Sequence, residues 1–178
     1  MKALVIRCTA PGSNPIGTDE LVAAELSRHE IDFLPVSLLT DEEATRFSHD
    51  ADFMAERITG VLLSAPKGIP IGIVGYGFTA AAAIIAASQN PATVSVLVSV
   101  NGRTDIAVDS LRALRVPTML LVNDMPVLRV NREAVSLIKA ERRIEIVHGN
   151  GEQATQAIVE KCVRWLADKL VAETAAVY

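Results

Sequence analysis

The stretch Ile73-Val74-Gly75-Tyr76-Gly77-Phe78-Thr79-Ala80-Ala81 carries the strongest structural signal in the chain. Apolar residues lead through two glycines into a run of alanines, which is typical of a buried strand that turns sharply into a helix. Two functional motifs occupy such a turn, the nucleophile elbow Gly-x-Ser-x-Gly and the dinucleotide fingerprint Gly-x-Gly-x-x-Ala. A third interpretation is a tight turn in which small residues let a helix pack closely on a strand.

The rest of the chain alternates strand-like and helix-like segments around this turn. Six strands are predicted: Ala3–Cys8, Asp32–Val36, Ile71–Gly75, Val94–Val100, Thr118–Val122 and Ile144–His148. Five helices are predicted: Asp19–His29 with Thr18 as N-cap, one long helix after the capping box Thr40-Asp41-Glu42-Glu43, Ala80–Ser88, residues 127–140, and Glu152–Leu170. The connection Asn101–Val116 is predicted to be mostly irregular. This alternation predicts one α/β domain over residues 1–178, a three-layer sandwich with a mostly parallel six-stranded sheet.

Composition excludes several classes of protein. Half of the 178 residues are hydrophobic, only 4% are aromatic, and the net charge is −4, which argues against nucleic acid as a partner. The longest uninterrupted apolar run, Ala80–Ala87, is too short to cross a membrane. Two cysteines, Cys8 and Cys162, make neither a disulfide framework nor a zinc cage. We therefore expect a cytoplasmic protein that needs no metal or other cofactor.

Candidate functional residues follow the predicted strands, because ligands of parallel sheets bind beyond the carboxyl ends of the strands. These residues are Cys8, Thr9, Ser13, Ser37, Tyr76, Gly77, Asn101, Arg103, Asn123, Asp124 and His148. His148 is a candidate general base paired with Asp124; in the alternative, His148 bonds to backbone and Asp124 caps the next helix. Cys8 is either a reactive thiolate or a buried, inert thiol. His29 and His49 are interpreted as surface residues of helices.

An ordered series of short signals resembles the dienelactone-hydrolase-like branch of the α/β-hydrolases. The series comprises Gly75-Tyr76-Gly77-Phe78 before the alanine run, Ser99-Val100-Asn101-Gly102-Arg103-Thr104-Asp105, the strand at 118–122, Asp124, and the segment 126–134. The resemblance extends over roughly residues 70–170. It implies an α/β-hydrolase-like core that lacks the family's two N-terminal antiparallel strands. It also implies a triad acid at Asp124 and a catalytic His after the last strand.

Departures from the family pattern fall on the catalytic positions. Gly77 stands where the family has its nucleophilic Ser or Cys, Thr79 replaces a glycine and crowds the turn, and His148 comes earlier than the family's His. Loss of a triad nucleophile removes about 10⁶ of the rate. The sequence therefore predicts a non-catalytic protein of this fold that binds a small ligand or a partner. The predicted binding residues are Tyr76, Gly77, Phe78, Thr79 and Asn101.

Two other functions stay open at this point. One is an active ester or lactone hydrolase with rearranged residues, either Cys8 or the His148–Asp124 pair. The other is a phosphate- or nucleotide-binding domain, although Asn101 stands where a dinucleotide site needs an acid. A sheet without the family's extra strands has exposed edges, which predicts a homodimer formed either by edge pairing or by helices that cover the edge.

Overall fold

Six strands form one parallel sheet in the structure, a computed structural model that describes the backbone of residues 2–12, 19–149 and 151–176. The strands are β1 Ala3–Thr9, β2 Ile31–Ser37, β3 Ile71–Tyr76, β4 Val94–Val100, β5 Thr118–Val122 and β6 Arg142–Ile146. Their order across the sheet is β2-β1-β3-β4-β5-β6, and every neighbouring pair is parallel. The predicted fold class is confirmed. The last strand begins and ends two residues before its predicted bounds, so His148 lies beyond it rather than at its end.

Within the described ranges, seven α-helices connect and flank the strands. They are α1 Asp19–Ser27, α2 Asp41–Phe47, α3 Ala51–Ser64, α4 Phe78–Gln89, α5 Val108–Ala113, α6 Met125–Leu137 and α7 Gly151–Ala176. Thr18, the predicted N-cap of α1, and the candidate Ser13 lie outside the described residues. None of the helices in the described part of the chain combines the length and the apolarity that a membrane span requires.

Two predicted connections are wrong. The single long helix after Thr40 is broken into α2 and α3, because the Asp50 carboxylate accepts the Phe53 N–H at 2.9 Å and starts a new helix. The capping box that begins α2 is present, with Thr40 and Glu43 bonding each other's backbone N–H. The segment predicted to be irregular holds a 3₁₀ turn, Thr104–Ile106, and the helix α5. Six residues are too few for a helical period to be visible in sequence.

Helices cover both faces of the sheet, and each face has its own core. On one face the core combines residues of α3, α4, α5 and α6 with sheet residues such as Leu4, Ile6 and Ile73, and on the other it combines residues of α1 and α7 with Val5 and Val98. The side chains of β1 point alternately into the two cores, which is why the strand is apolar along most of its length. The helix α4 is buried from Thr79 to Ala87, so it can lie close against the sheet.

The two edges of the sheet carry residues that hinder addition of another strand. In β2 they are Pro35, which has no N–H to donate, and Asp32; in β6 they are Arg142, Arg143 and Glu145. The predicted homodimer stays a prediction. The residues at the two edges make pairing between strands less favourable than a contact made through helices.

Candidate functional site

The turn between β3 and α4 has the backbone of a strand-to-helix elbow. Gly77 has a φ of +56° and a ψ of −118°, in a region that glycine enters without steric cost. Its N–H donates to the carbonyl of Val100 at 3.0 Å, and its own carbonyl accepts the N–H of Arg103 at 3.1 Å. A Cβ added at Gly77 would meet no atom within 4 Å. Gly77, where the resemblance predicts the family's nucleophile, therefore faces open space.

Gly75 sets how closely the helix approaches the strand. A Cβ at this position would lie 2.6 Å from both the Ala80 Cα and the Thr79 carbonyl oxygen. Those are backbone atoms of α4, which cannot move aside independently. Glycine is therefore required for the packing that brings the first turn of α4 over the sheet.

Thr79 braces the turn instead of crowding it. Its hydroxyl accepts the N–H of Tyr76 at 2.9 Å and lies 3.1 Å from the carbonyl of Cys8 and 2.9 Å from that of Tyr76. The residue is 1% exposed, so its side chain is not available to a ligand. This hydroxyl links the elbow to the end of β1.

A cavity of about 410 Å³ opens in front of the elbow. The lining residues come from the loop after β1, from the turn between α2 and α3, and from the elbow: Ala10, Pro11, Gly12, Ser48, His49, Tyr76, Gly77, Phe78 and Thr79. The His49 ring meets the Phe78 ring edge-on, with 4.5 Å between centroids. His49, interpreted from sequence as a surface residue of a helix, lies on the cavity because the helix breaks beside it.

Arg103 covers Phe78 at the rim of this cavity. Its guanidinium carbon lies 5.0 Å from the centre of the Phe78 ring, within range of a cation–π contact. Two hydrogen bonds, of 2.9 and 2.8 Å, join the same guanidinium to Asp105. These bonds hold the pKa of the Asp105 carboxyl below its usual range and raise the pKa of Arg103. The Phe78 ring therefore contacts both an imidazole and a guanidinium.

Asn101 is predicted to bind ligand, but its side chain is fully engaged by the protein. Its Nδ2 donates to the Tyr76 hydroxyl at 3.0 Å and to Asn123 Oδ1 at 2.5 Å. Its Oδ1 accepts the N–H groups of Asn123 and Asp124 at 2.9 and 3.0 Å. The residue is 5% exposed. A ligand bound at the carboxyl ends of the strands would contact the partners of Asn101 and not Asn101 itself.

Asp124 and His148 lie at the same end of the sheet as the elbow, beyond the carboxyl ends of the strands, but their side chains are not bonded to each other. The N–H of Val147 donates to the carbonyl of Val122 at 2.8 Å, so the ends of β5 and β6 are side by side. Both side chains are exposed, and no hydrogen bond or ion pair joins them. Asp124 occupies the N-cap position of α6 without a capping bond from its side chain. No contact between the two side chains supports the predicted acid–base pair, which stays a prediction.

Cys8 is buried between the sheet and the helices of one face. Burial raises the pKa of its thiol to about 12, although the charge of Arg7 opposes the shift. Burial does the same to Cys162. A thiol with so high a pKa is almost entirely protonated at neutral pH, which argues against Cys8 as a nucleophile. Among the residues that the structure describes, no three His, Cys, Asp or Glu are grouped so as to hold a metal ion.

Comparison with solved structures places the chain beside hydrolases. A dienelactone hydrolase from Anabaena variabilis is 26% identical, has a TM-score of 0.82, and aligns over 94% of this chain and 87% of its own. A predicted CIB-like hydrolase from Thermoplasma acidophilum is 19% identical with a TM-score of 0.72, over 94% and 87% of the two chains. Est1E from Butyrivibrio proteoclasticus is 10% identical with a TM-score of 0.78, over 95% and 88%. The last two likenesses concern the fold alone.

Comparison with curated proteins gives a different name. A Mycobacterium tuberculosis protein called "Putative phosphoribosyl transferase" is 35% identical over 121 residues, which are 63% of this chain. The aligned part is 27% of that protein's length, so the chain spans about a quarter of it. No protein-family model matches the chain.

Proposed function

This chain has the α/β-hydrolase fold, and we propose that it uses the elbow of that fold to bind a small molecule without hydrolysing it. The observation that carries the proposal is Gly77, which keeps the backbone conformation of the elbow but has no side chain to attack a substrate. Removing a nucleophile leaves the cavity and its backbone donors in place, so binding can persist where catalysis is lost.

The alternatives with rearranged catalytic residues receive little support from the geometry. Cys8 is buried with a pKa of about 12, and the exposed side chains of Asp124 and His148 have no bond to each other. A triad enzyme that lacks its nucleophile loses about 10⁶ of its rate. That loss leaves far less activity than an ester or lactone hydrolase has.

The walls of the cavity favour a ligand that has both an apolar body and an acceptor oxygen. Phe78 contributes an aromatic ring to the lining, and Ser48 and His49 contribute polar side chains from the turn between α2 and α3. The first N–H groups of α4 have no partners within the helix, because an α-helix leaves its first four donors free of intrahelical bonds. Small carboxylic acids match this combination.

A ligand screen tests the proposal directly. Thermal unfolding is followed in the presence of small acids such as acetate and benzoate, nucleotides and acyl-CoAs, with isothermal titration of any compound that raises the melting temperature. We expect a small acid to bind, and His49→Ala to weaken its affinity about tenfold through loss of a charge-assisted hydrogen bond. His29→Ala, a second exposed histidine on the α1 side of the molecule, is the matched control and should bind normally. Stabilisation by none of the compounds would contradict the proposal.

Activity assays give a second test. The protein and its Gly77→Ser variant are both expected to hydrolyse p-nitrophenyl esters and dienelactone no faster than buffer, because His148 comes earlier in the chain than the family's His. Gly77→Ser should fold, since its side chain enters open space and the cost of its sparsely populated φ/ψ is about 1–3 kcal/mol. Turnover that disappears in Cys8→Ala or His148→Ala would establish the rearranged hydrolase instead.

Phosphate or nucleotide binding is the second candidate. The name of the Mycobacterium tuberculosis relative favours it, because a phosphoribosyl transferase handles a sugar phosphate. The aligned part is about a quarter of that protein, so the name alone does not decide this chain's ligand. Addition of 5-phosphoribosyl diphosphate and inorganic phosphate to the thermal screen distinguishes this candidate from a small acid.

We also propose that the chain forms a homodimer. The support is the incomplete sheet, whose two edges have no covering strand among the described residues. Because Pro35 and the charged residues of β6 hinder strand pairing, we expect a contact made through helices. Light scattering coupled to size-exclusion chromatography measures the mass, and a monomer at micromolar concentration would contradict this proposal.

A further inference from the structure

The side chain of Asn101 joins the ends of three neighbouring strands. Asn101 follows β4, its Nδ2 reaches the hydroxyl of Tyr76 at the end of β3, and its Oδ1 holds the first two N–H groups after β5. The elbow and the turn at Asn123 and Asp124 are thus tied together through one amide. Both turns lie at the carboxyl ends of the strands, where parallel sheets bind their ligands.

Every hydrogen-bonding position of this side chain is used. An asparagine amide has two N–H donors and two acceptor lone pairs, and the four contacts of Asn101 account for all of them. Asn101 also has a φ of +47°, which asparagine tolerates better than most residues. Its conformation is therefore fixed by both backbone and side chain, in a site where a ligand does not reach it.

The contact with Tyr76 also sets the direction of the Tyr76 proton. The phenolic oxygen accepts a hydrogen bond from Asn101 Nδ2, so its own hydrogen is left to donate to another acceptor. Tyr76 is half-buried and lines the elbow cavity. A ligand oxygen is a suitable acceptor for that hydrogen.

We propose that Asn101 is a positioning residue of the elbow site, which turns the Tyr76 hydroxyl into a hydrogen-bond donor for the acceptor oxygen of a ligand. The inference rests on the proposed binding function and names the chemistry that selects the ligand. A ligand with an acceptor oxygen gains a hydrogen bond from the Tyr76 hydroxyl. A ligand that has only donors finds no acceptor there.

Asn101→Asp separates positioning from mere structural support. The carboxylate keeps an acceptor for the N–H groups of Asn123 and Asp124, and aspartate also tolerates a positive φ. In place of the Nδ2 donor it presents an acceptor, which draws the Tyr76 hydrogen inward. Amide exchange followed by NMR should show Asn123 and Asp124 exchanging at about the wild-type rate in Asn101→Asp, and about tenfold faster in Asn101→Gly. Asn101→Gly relieves the backbone constraint, so it isolates the side-chain bonds. Equal loss of protection in both variants would contradict the proposed role.

Binding of benzoate provides the functional arm. Asn101→Asp and Tyr76→Phe are each expected to weaken benzoate about tenfold, and the double variant should be no weaker than either alone. Wild-type affinity in Asn101→Asp would overturn the inference. If the wild-type protein binds no small acid, the proposed function fails, while the exchange measurements still test whether Asn101 holds the Asn123–Asp124 turn.

Discussion

Gly75→Ala is expected to destabilise the folded protein by about 3 kcal/mol or more, the upper end of what overpacking a core costs. The added methyl group would lie 2.6 Å from the Ala80 Cα and the Thr79 carbonyl oxygen, and both are backbone atoms of α4. That helix is buried on all sides between Thr79 and Ala87, so it cannot retreat without opening the core. Urea unfolding followed by the fluorescence of Trp165, the chain's single tryptophan, measures the loss.

Gly60→Ala is the matched control. Gly60 is an exposed residue inside α3, and a Cβ there meets nothing within 4 Å. Alanine is favoured over glycine within a helix by about 1 kcal/mol, so this variant should unfold at a higher urea concentration than the wild type. Opposite signs for the same chemical change would tie the effect to the contact between β3 and α4. A Gly75→Ala variant as stable as the wild type would mean that this contact is looser than described.

The fold was predictable because a parallel sheet covered on both faces leaves a plain pattern in sequence. Strands β1, β3, β4 and β5 are buried almost throughout, and their apolar runs predicted them to within one residue at each end. The edge strand β6 is half-exposed and contains two arginines and a glutamate, so its apolar pattern is weak and its bounds were misplaced. That error moved His148 onto the end of a strand.

The wall of the site opposite the elbow was missed because two signals conflicted. Phe47, Ala51, Met54 and Ile58 keep a helical period across the break between α2 and α3, and the rings of Phe47 and Phe53 stack with 4.2 Å between centroids. Asp50, a strong N-cap residue, was the signal that could have located the second helix start. Without that break, Ser48 and His49 would sit on a helix and not on the cavity.

Contacts made by single side chains were beyond sequence reasoning altogether. Thr79 was expected to crowd the turn. Instead its hydroxyl accepts the Tyr76 N–H and lies within hydrogen-bond distance of two backbone carbonyls. Asn101 was expected to contact a ligand, yet its side-chain amide is hydrogen-bonded to Tyr76, Asn123 and Asp124. Whether a polar side chain at a strand end faces a ligand or a neighbouring strand depends on the register of that strand, which composition and periodicity do not specify.

Gly77→Cys is expected to create a thiol that reacts with iodoacetamide about 10⁴-fold faster than either natural cysteine at neutral pH. Burial raises the pKa of Cys8 and Cys162 to about 12, so each is almost wholly protonated and silent. A cysteine at Gly77 would occupy the N-cap of α4 and project into open space. Helix N-termini lower a thiol's pKa to between about 3.5 and 7.5, which makes a large fraction of it thiolate.

Ser64→Cys tests whether the elbow itself causes that reactivity. Ser64 is exposed at the last residue of α3, where the carbonyl end of a helix disfavours a negative charge. Both variants add one accessible thiol to a chain with two silent ones, so mass spectrometry should count one label in each. At pH 7 we expect Gly77→Cys to be alkylated at least about tenfold faster, because its thiolate faces free N–H groups. Benzoate should slow the alkylation of Gly77→Cys and leave that of Ser64→Cys unchanged. Equal rates in the two variants would mean that the N–H groups of α4 are not available in the cavity, and the elbow would lose its place as the binding site.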